Sequence, residues 1–447
     1  MNITERHQKA LHRLVTHMSG EKKSDCAVVI PSGDSVRMLE AHLRRLARQN
    51  THEFDVVIIG KASSRAPRRM NVVTYSEKYP LGSSGGFGIG QVLAYSLGYE
   101  YVINADIDCM PVSAGLVKKL KDVAGKTQMT VLPRPVLHSG AKGKIRWGYC
   151  PNQYGICPRQ VLEEFGFEHF RFFRGAEDLE FQFRLEMAGR LHYENDVEVS
   201  HKPFLFDHIS LLNSPSNKYI YYKRNDVIAR TFMASYAFSR GMAVRGVKYC
   251  LATLLDVAKN HIFYWNQPEI INAVQDGLRM DTDTVIARRD NRLKSVKIER
   301  GWKGLILDIG SKKLETRRFF PKQKSSFFQT LRIALEVMEL FFSDAVYLSP
   351  TRNFLVHYRN LLPVLMMAKP VKYSDGMVYT SGMGRLDIVL NTSKTLLLCP
   401  VWLVLIVYNA VTVKKEVYPI TLSNLERNLN DYSCYVKKQA TVSSTTV

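Results

Sequence analysis

Two acidic side chains, Asp106 and Asp108, directly follow the apolar segment YEYVINA (99–105). Alternate side chains of an extended backbone point the same way, so both carboxylates face one side. Hard oxygen ligands of this kind suit Mg²⁺ or Mn²⁺, which keep coordination sites open for the phosphates of a substrate. The pair therefore predicts a divalent metal site, and the alternative is a solvated turn at the end of a strand.

A second acidic pair, Glu177 and Asp178, begins the segment EDLEFQFRLEMAG (177–189), whose apolar residues have helical spacing. The dipole and the unpaired N–H groups of a helix start favour carboxylates, so helix capping is the alternative to a chemical role for Glu177. Glu180 and Arg184 share a helix face with Glu177. They are candidates for holding a substrate or for bracing the site, and bracing is the favoured role for Arg184.

Three aromatic residues, Trp147, Tyr149 and Tyr154, precede the second acidic pair. Their flat rings suit stacking on a sugar, and burial in the core is the alternative.

Strands that alternate with helices position these residues. Apolar, β-branched runs predict strands in six places: CAVVIP (26–31), FDVVIIG (54–60), NVVTY (71–75), YEYVINA (99–105), MTVLP (129–133) and LHYENDVEVSH (191–201). Such an alternation predicts an α/β fold with a mainly parallel sheet flanked by helices. Ligands bind these sheets at the carboxyl ends of the strands, where Asp106 and Asp108 stand.

A glycine-rich segment, GSSGGFGIG (82–90), is predicted to be a turn in which the backbone approaches a ligand closely. It is not a dinucleotide-binding fingerprint, because that pattern follows the first strand of its fold.

Four regions are predicted along the chain: an N-terminal helix within 1–24, a catalytic α/β domain at 25–218, a helical extension at 219–300 that completes it, and a C-terminal region at 301–447. The first helix is expected to cover residues 5–19. The C-terminal region is largely helical by pattern and is assigned to membrane association or oligomerisation.

Overall charge and cysteine usage narrow the class of protein. The formal net charge of +21 implies an anionic partner, and nucleic acid is excluded because no nucleic-acid-binding motif accompanies the charge. The seven cysteines are scattered without a CxxC pair, which indicates reduced thiols in a cytosolic protein. The first residues lack the apolar core of a secretory signal.

The order and spacing of these motifs resemble glycosyltransferase family 2, whose Rossmann-like fold is called GT-A. The resemblance rests on the glycine-rich GSSGGFGIG, then ADID, GAEDLEFQFR, SHKPF and the YYKRN of Tyr221–Asn225. Within the family it is greatest to the galactofuranosyl- and rhamnosyltransferase branch, which has a GGSGGF-type turn, a DxD- or DDD-type metal motif and a DDxEF helix start. The similarity covers about residues 25–300.

The resemblance implies a role for each part of the site. Asp106, Asp108 and His201 would bind Mn²⁺ or Mg²⁺, and Asp178, beside Glu177, would be the general base of an inverting transfer. The residues implied in donor binding, together with Asp106, are Pro31, Ser32, Gly60, Lys61, Gly85, Gly86 and Phe87. The residues assigned to the acceptor are Trp147, Tyr149, Tyr154, Glu180 and Arg184.

The implied substrates are a nucleotide-diphosphate sugar, with UDP-galactofuranose or dTDP-rhamnose as examples, and a hydroxyl of a growing surface polysaccharide on a polyprenyl-diphosphate lipid. The chain departs from the family at the nucleotide end. Its second strand is followed by Gly60-Lys61-Ala62-Ser63-Ser64 instead of an acidic turn, and its first strand ends in Pro31-Ser32-Gly33. A catalytically silent GT-A scaffold of a membrane glycan-assembly complex is therefore the alternative.

Membrane contact is predicted at two places in the C-terminal region. Segment 395–413 is nearly long enough to span a bilayer, but Pro400, Tyr408 and Asn409 interrupt it, so a buried or membrane-dipping helix is favoured. A basic run with two phenylalanines, SKKLETRRFFPKQK (311–324), predicts attraction to anionic lipid of about 1 kcal/mol per basic residue, and a solvated loop is the alternative. We expect a cytoplasmic protein attached peripherally to the inner face of the cell membrane, and a homo-oligomer is left open.

Overall fold

The structure is a computed structural model of the chain. It describes residues 3–33, 36–60, 67, 69–138, 144–146, 150–201, 218–263, 268–284, 295–297, 305–308, 314–316, 345–348, 371–374, 377–380, 385–413 and 418–445.

A ten-stranded sheet forms the centre of the fold. Its strands are β1 (Val15–Ser19), β2 (Cys26–Gly33), β3 (Asp55–Gly60), β4 (Asn71–Glu77), β5 (Tyr101–Ala105), β6 (Cys109–Pro111), β7 (Thr130–His138), β8 (Lys144–Arg146), β9 (Gln153–Pro158) and β10 (Leu191–His201). They lie in the order β1-β4-β3-β2-β5-β9-β7-β10-β6, with β8 paired to β7. The series β4-β3-β2-β5 and the pair β7-β10 are parallel, whereas β1, β6, β8 and β9 run antiparallel to their neighbours. The predicted α/β fold is confirmed, and antiparallel strands make its sheet mixed.

Helices cover both faces of this sheet. α1 (Ile3–Leu11) precedes the first strand, and the helices between the strands are α2 (Val36–Leu46), α3 (Gly82–Ser96), α4 (Leu116–Thr127), α5 (Arg159–Phe165) and α6 (Glu177–Met187). Alternate residues of β2 point to opposite faces: Val29 packs in the core with α3 and α6, and Val28 packs in the core with α2 and α4. This burial on both faces explains the continuous apolar run that predicted the strand.

Two local predictions in this domain are wrong. The N-terminal helix ends at Leu11 instead of residue 19, and the following β1 pairs antiparallel with β4. The glycine-rich segment 82–90 forms the first turns of α3 instead of a turn. Its glycines let α3 approach the sheet closely: a Cβ on Gly86 would lie 2.7 Å from the Pro31 Cβ, and one on Gly90 would overlap the Val29 side chain.

Long helices dominate the second half of the chain: α7 (Lys218–Ser239), α8 (Ala243–Phe263), α9 (Pro268–Leu278), α10 (Arg385–Thr412) and α11 (Leu425–Thr445). Two small sheets lie between α9 and α10 in sequence, with the orders β11-β16-β15 and β13-β12-β14. Their strands are β11 (Ser295–Lys297), β12 (Leu305–Asp308), β13 (Leu314–Thr316), β14 (Ala345–Leu348), β15 (Val371–Ser374) and β16 (Met377–Thr380). β15 and β16 form an antiparallel hairpin, which ends before α10 begins at Arg385. Apart from β13, the predicted basic run 311–324 lies outside the described residues.

The last helix belongs to the core of the α/β domain. Ile420, Leu429 and Tyr432 pack in the same cluster as residues of β2, β3 and α3, and the Tyr432 hydroxyl donates to the Leu81 carbonyl beside the start of α3. A Cβ on Gly85 would overlap that hydroxyl. The predicted boundary at 301 therefore does not separate this helix from the α/β domain.

Candidate functional site

The first acidic motif lies where β5 ends, at the carboxyl edge of the sheet. The Asp106 amide donates to the Asn152 carbonyl (2.8 Å), and the Ile107 amide donates to the Asp106 carboxylate (2.9 Å). The side chains of Asp106 and Asp108 are both half-buried. The sequence prediction placed them at this edge, and the structure agrees.

A buried histidine holds this motif from the opposite side. A ring nitrogen of His42 in α2 lies 3.2 Å from the Ile107 carbonyl, and the other nitrogen is hydrogen-bonded to the Tyr154 hydroxyl. Burial lowers the pKa of His42 to about 4, so the ring is neutral at physiological pH. Tyr154, predicted to contact an acceptor, is fully buried in the core with α2 and α4, which supports the alternative of core burial.

The backbone of His201 lies next to this motif. His201 pairs with Cys109, the residue that directly follows Asp108, in the antiparallel register of β10 and β6. Its side chain lies outside the described part of the structure. Among the described side chains, no group of three or more His, Cys, Asp or Glu is placed to hold a metal ion.

The second acidic pair begins α6 after a tight turn. Gly175 has a φ of +78° and Ala176 a φ of +73°, both in the left-handed region. Ser84 of α3 donates to Glu177 (2.6 Å), while the Cys150 thiol (3.0 Å) and the Leu179 amide (2.8 Å) donate to the Asp178 carboxylate. These bonds fix both carboxylates relative to α3 and to the end of the segment before β9.

A single asparagine holds this turn in place. The Asn225 amide in α7 donates to the carbonyls of Phe172 (2.8 Å), Arg174 (2.7 Å) and Gly175 (3.3 Å). Tyr222, one turn earlier in α7, packs so closely on Gly175 that a Cβ there would overlap its ring. The YYKRN segment therefore positions the start of α6, a role that its sequence did not reveal.

A third acid, Glu168, lies behind the pair and was missed in the sequence. It is fully buried, and Asn104 (2.9 Å) and Gln91 (3.5 Å) donate to its carboxylate. The Asn152 amide lies between two acids: it donates to Glu177 (3.3 Å) in one orientation and to Glu168 (3.0 and 3.2 Å) in the other. A lone acid within the apolar run FGFEHFRFF was the only sequence signal for this residue.

Electrostatics joins these acids into one group, which we call the acidic cluster: Asp106, Glu168, Glu177 and Asp178. Burial, followed by the charges of Glu177 and Asp178, raises the pKa of Glu168 well above its ordinary value. Burial and the charge of Asp178 raise the pKa of Glu177 to about 8, with a further contribution from Asp106. Three of these acids also affect Tyr222: burial and the charges of Glu177, Asp178 and Asp106 raise the pKa of its hydroxyl.

The residues predicted for donor binding divide into two sets. Pro31, Ser32, Gly60 and Gly86 lie together at the carboxyl ends of β2 and β3, where Ser32 donates to the Ile59 carbonyl (3.3 Å). Gly60 has a φ of +117°, and a Cβ there would lie 2.6 Å from the Ser32 hydroxyl.

The residues of the second set either pack around α3 or lie outside the described part of the structure. Gly85 packs on Tyr432, and Phe87 is 2% exposed, so both serve the packing of α3. Lys61 falls outside the described residues, as do Trp147 and Tyr149, which were predicted to bind the acceptor.

Glu180 and Arg184 form a buried ion pair. Glu180 also accepts from the Tyr418 hydroxyl (2.7 Å), and Arg184 donates to the carbonyls of Phe165 and Phe167 (2.8 Å to the latter). Their exposures are 0% and 1%, so the contacts match the bracing role and leave neither side chain accessible at the surface.

Acids at the amino edge of the sheet have different partners. Asp25 forms an ion pair with Lys121 (2.7 Å). Asp55 accepts from the Lys23 amide (2.7 Å), the Ser24 amide (3.1 Å) and the Tyr99 hydroxyl (2.8 Å). A cavity of about 580 Å³ at this edge is lined in part by these residues.

No family model and no curated protein matches the chain. Similar solved structures include S. aureus TarS 1-349, at 14% identity over 57% of this chain and 80% of that chain, with a TM-score of 0.40. The mannosyltransferase PcManGT from Pyrobaculum calidifontis, in complex with GDP-Man and Mn²⁺, has 14% identity over 62% of this chain and 80% of that chain, with a TM-score of 0.34. GalNAc-T7 with UDP, GalNAc and Mn²⁺ has 10% identity over 48% of this chain and 51% of that chain, with a TM-score of 0.33. At these values the likeness is partial and assigns no chemistry to this chain.

Proposed function

We propose that the chain is a metal-dependent, inverting glycosyltransferase of the GT-A type, which moves a sugar from a nucleotide diphosphate to a glycan hydroxyl. The observation that carries the proposal is the acidic cluster. Asp106 at the end of β5 and Asp178 at the start of α6 come from separate segments, yet both charges act on Glu177 and Tyr222. Buried acids with raised pKa values, gathered at the carboxyl edge of an α/β sheet, are typical of active sites.

Asp106 and Asp108 are the proposed ligands of Mn²⁺ or Mg²⁺, with His201 as a third. The fit is chemical, because carboxylate oxygens are hard ligands. Burial and then the charges of Asp178 and Asp106 raise the pKa of Glu177, and a cation would offset the part that these charges contribute. When bound, the ion supplies Lewis-acid stabilisation of the diphosphate as it leaves. The neutral His42 and the backbone carbonyl of Asn152 hold the backbone of this motif in place.

Asp178 is the proposed general base. Its side chain is half-buried, and the Leu179 amide and the Cys150 thiol orient its two oxygens. It takes the proton of the acceptor hydroxyl as that oxygen attacks the anomeric carbon, a contribution of about 10²–10⁴-fold to the rate. A single base on the acceptor side implies inversion at that carbon.

Substrate identity follows from the family resemblance. The donor is a UDP-sugar such as UDP-galactofuranose, or dTDP-rhamnose, bound near Pro31, Ser32 and Gly60. The acceptor is a growing surface polysaccharide on a polyprenyl-diphosphate lipid, which places the enzyme at the inner face of the cell membrane.

The test is hydrolysis of, or transfer from, a panel of nucleotide sugars, with Mn²⁺, with Mg²⁺ and with a chelator. Wild type is expected to turn over one donor in a metal-dependent way, and Asp178→Asn and Asp106→Ala are expected to abolish most of that activity. Asp122→Asn is the matched control, because Asp122 is an exposed acid in α4. Activity that survives both site substitutions would remove the assignment.

The second candidate is the catalytically silent GT-A scaffold. It is favoured by Lys61, which stands where the family has an acidic nucleotide-binding turn. A folded protein that turns over no donor in the panel, and whose thermal stability no nucleotide changes, would support the scaffold.

A further inference from the structure

Helix α10 exposes one continuous apolar face. Six large side chains on this face, Leu396, Leu397, Val401, Val404, Tyr408 and Val411, are between 62% and 79% exposed. From Leu397 to Val411 they recur every three or four residues, so these five lie on one side of the helix. No charged residue occurs from Thr395 to Thr412. Soluble monomers rarely expose a contiguous apolar patch of this extent, and such a patch marks an interaction site.

Helix α8 adds a second exposed stripe beside the first. Val244 is 85% exposed, Val247 50%, Leu251 46% and Leu255 66%, again at helical spacing. The two helices pack against each other through a shared cluster that includes Cys250 and Trp402, and the rings of His261 and Trp402 lie 4.3 Å apart. We call the exposed stripes of α8 and α10 together the apolar face.

The opposite side of α10 is fixed to the protein along its length. Thr395, Trp402, Ile406 and Ala410 are buried, and the Asn409 amide donates to the Leu278 carbonyl at the end of α9 (2.6 Å). The segment Leu390–Thr412 has the length and apolarity of a membrane span, with a mean hydropathy of 2.0. A spanning helix would have to carry α8 and α9 into the bilayer with it, including their polar residues. A helix held on one side is suited to lie in the plane of the membrane surface.

Charge at the edge of the apolar face distinguishes lipid from a second copy of the chain. Arg245 and Lys248 are exposed next to the stripe of α8, and the exposed Lys394 precedes that of α10. A two-fold contact between copies would use the same patch twice and bring like charges to its edge. Anionic headgroups instead complement these cations while the acyl region takes up the aliphatic side chains.

We propose that the apolar face docks α8 and α10 flat on an anionic lipid bilayer. This surface is distinct from the basic run 311–324. It does not depend on the proposed transfer activity, and its test measures binding alone.

The first experiment is flotation of the full chain with vesicles of phosphatidylcholine and phosphatidylglycerol in a three-to-one ratio, and with phosphatidylcholine alone. Wild type is expected to float with the mixed vesicles and more weakly with neutral ones. The double variant Leu397→Gln, Val404→Gln removes two exposed apolar side chains without adding charge, and it is expected to lower the partition coefficient on the order of tenfold. The matched control is Met18→Gln, Val112→Gln, which changes exposed apolar residues elsewhere (50% and 45% exposed).

The second experiment separates a flat from a spanning orientation. Leu255→Trp, Leu397→Trp and Val411→Trp each place an indole on the apolar face, and lipids brominated at different depths quench it. Leu397 and Val411 lie roughly 21 Å apart along the helix axis. Flat docking predicts the same shallow depth for all three, after subtraction of the wild-type signal.

Three outcomes would overturn the proposal. Equal flotation of wild type and Leu397→Gln, Val404→Gln would show that another surface binds lipid. A deep position for one tryptophan and a shallow one for another would show a spanning helix. A lipid-free dimer that the same double variant dissociates, with no flotation of wild type, would assign the face to a second copy. Far-ultraviolet circular dichroism of each variant checks that the helices are retained.

Discussion

Acidic side chains at the two edges of the central sheet differ in their partners and in their electrostatic environment. At the amino edge, Asp25 is paired with Lys121, and Asp55 accepts three hydrogen bonds from two amides and a hydroxyl. At the carboxyl edge, neutral amides and a hydroxyl are the donors to Glu168 and Glu177, and the pKa values of both carboxyls are raised. Satisfied acids stabilise the fold, whereas burial and then the neighbouring charges disfavour the ionised forms of Glu168 and Glu177, a cost that a bound cation or a proton would offset.

The largest expected effect separates activity from stability. Asp178→Asn is expected to lower the transfer rate about 10²–10⁴-fold through loss of the base, without lowering the free energy of unfolding. Asp55→Asn is expected to do the reverse: it weakens three hydrogen bonds to a buried carboxylate, costs about 1–3 kcal/mol and leaves the transfer rate of the folded protein unchanged. Single-turnover kinetics and urea unfolding of both variants measure the two quantities. An equal loss of activity in both variants would contradict the prediction that only the carboxyl edge of the sheet takes part in catalysis.

A pH series tests the buried Glu168. Because its folded pKa is raised, its favourable contribution to stability is full below the usual glutamate pKa and is lost as the pH rises toward the folded value. Glu168→Gln mimics the neutral acid. Its free energy of unfolding is therefore expected to equal that of wild type below the usual glutamate pKa and to exceed it at higher pH. The gain is up to about 1.4 kcal/mol for each pH unit of this window. Urea unfolding of metal-free protein between pH 4 and 8 is the measurement, and parallel curves for both proteins would contradict the prediction.

Asn225 connects the α7 helix to the start of α6. Asn225→Ala leaves three carbonyls without their donor, and we expect a loss of about 1–3 kcal/mol in unfolding free energy. Because the turn carries Asp178, kcat is expected to fall while KM for the donor changes little. Asn225→Asp is the conservative comparison, since it keeps the shape but lacks the amide donor. A variant with lower stability and unchanged kcat would show that the hydrogen bonds of Asn225 stabilise the fold without affecting catalysis.

The smallest expected effect is at the amino edge. Asp25→Asn removes the ion pair with Lys121, whose side chains are 47% and 23% exposed. Solvent screens such a pair, so the change in unfolding free energy is expected to stay below about 1 kcal/mol, with unchanged activity. Thermal unfolding at low and high salt measures it, and a loss of activity would place a functional role at the wrong edge.

Local pattern was enough to predict the strands and the placement of Asp106 and Asp108. The run at β2 is continuously apolar because residues such as Val28 and Val29 are buried on opposite faces, and a motif that ends a parallel strand must lie at the binding edge. The helix α6 was also predictable from local pattern, because its apolar residues have a helical period.

Contacts between distant segments account for what the pattern missed. The glycines of α3 permit contact with Pro31, Val29 and Tyr432, and a sequence shows that a residue is small but not what it touches. Glu168 lies in an apolar run, and its amide partners come from other segments. The last helix is amphipathic by itself, and only the folded chain shows that its apolar residues complete the catalytic core.

Calorimetric titration of Mn²⁺ into the protein, alone and with UDP or dTDP, tests the central claim most directly. We predict that wild type binds the ion at the carboxyl edge, more tightly with a nucleotide present, and that Asp106→Ala loses this binding while Asp25→Asn retains it. Unchanged binding in Asp106→Ala, or its loss in Asp25→Asn, would contradict the assignment of the acidic cluster as a metal-dependent active site.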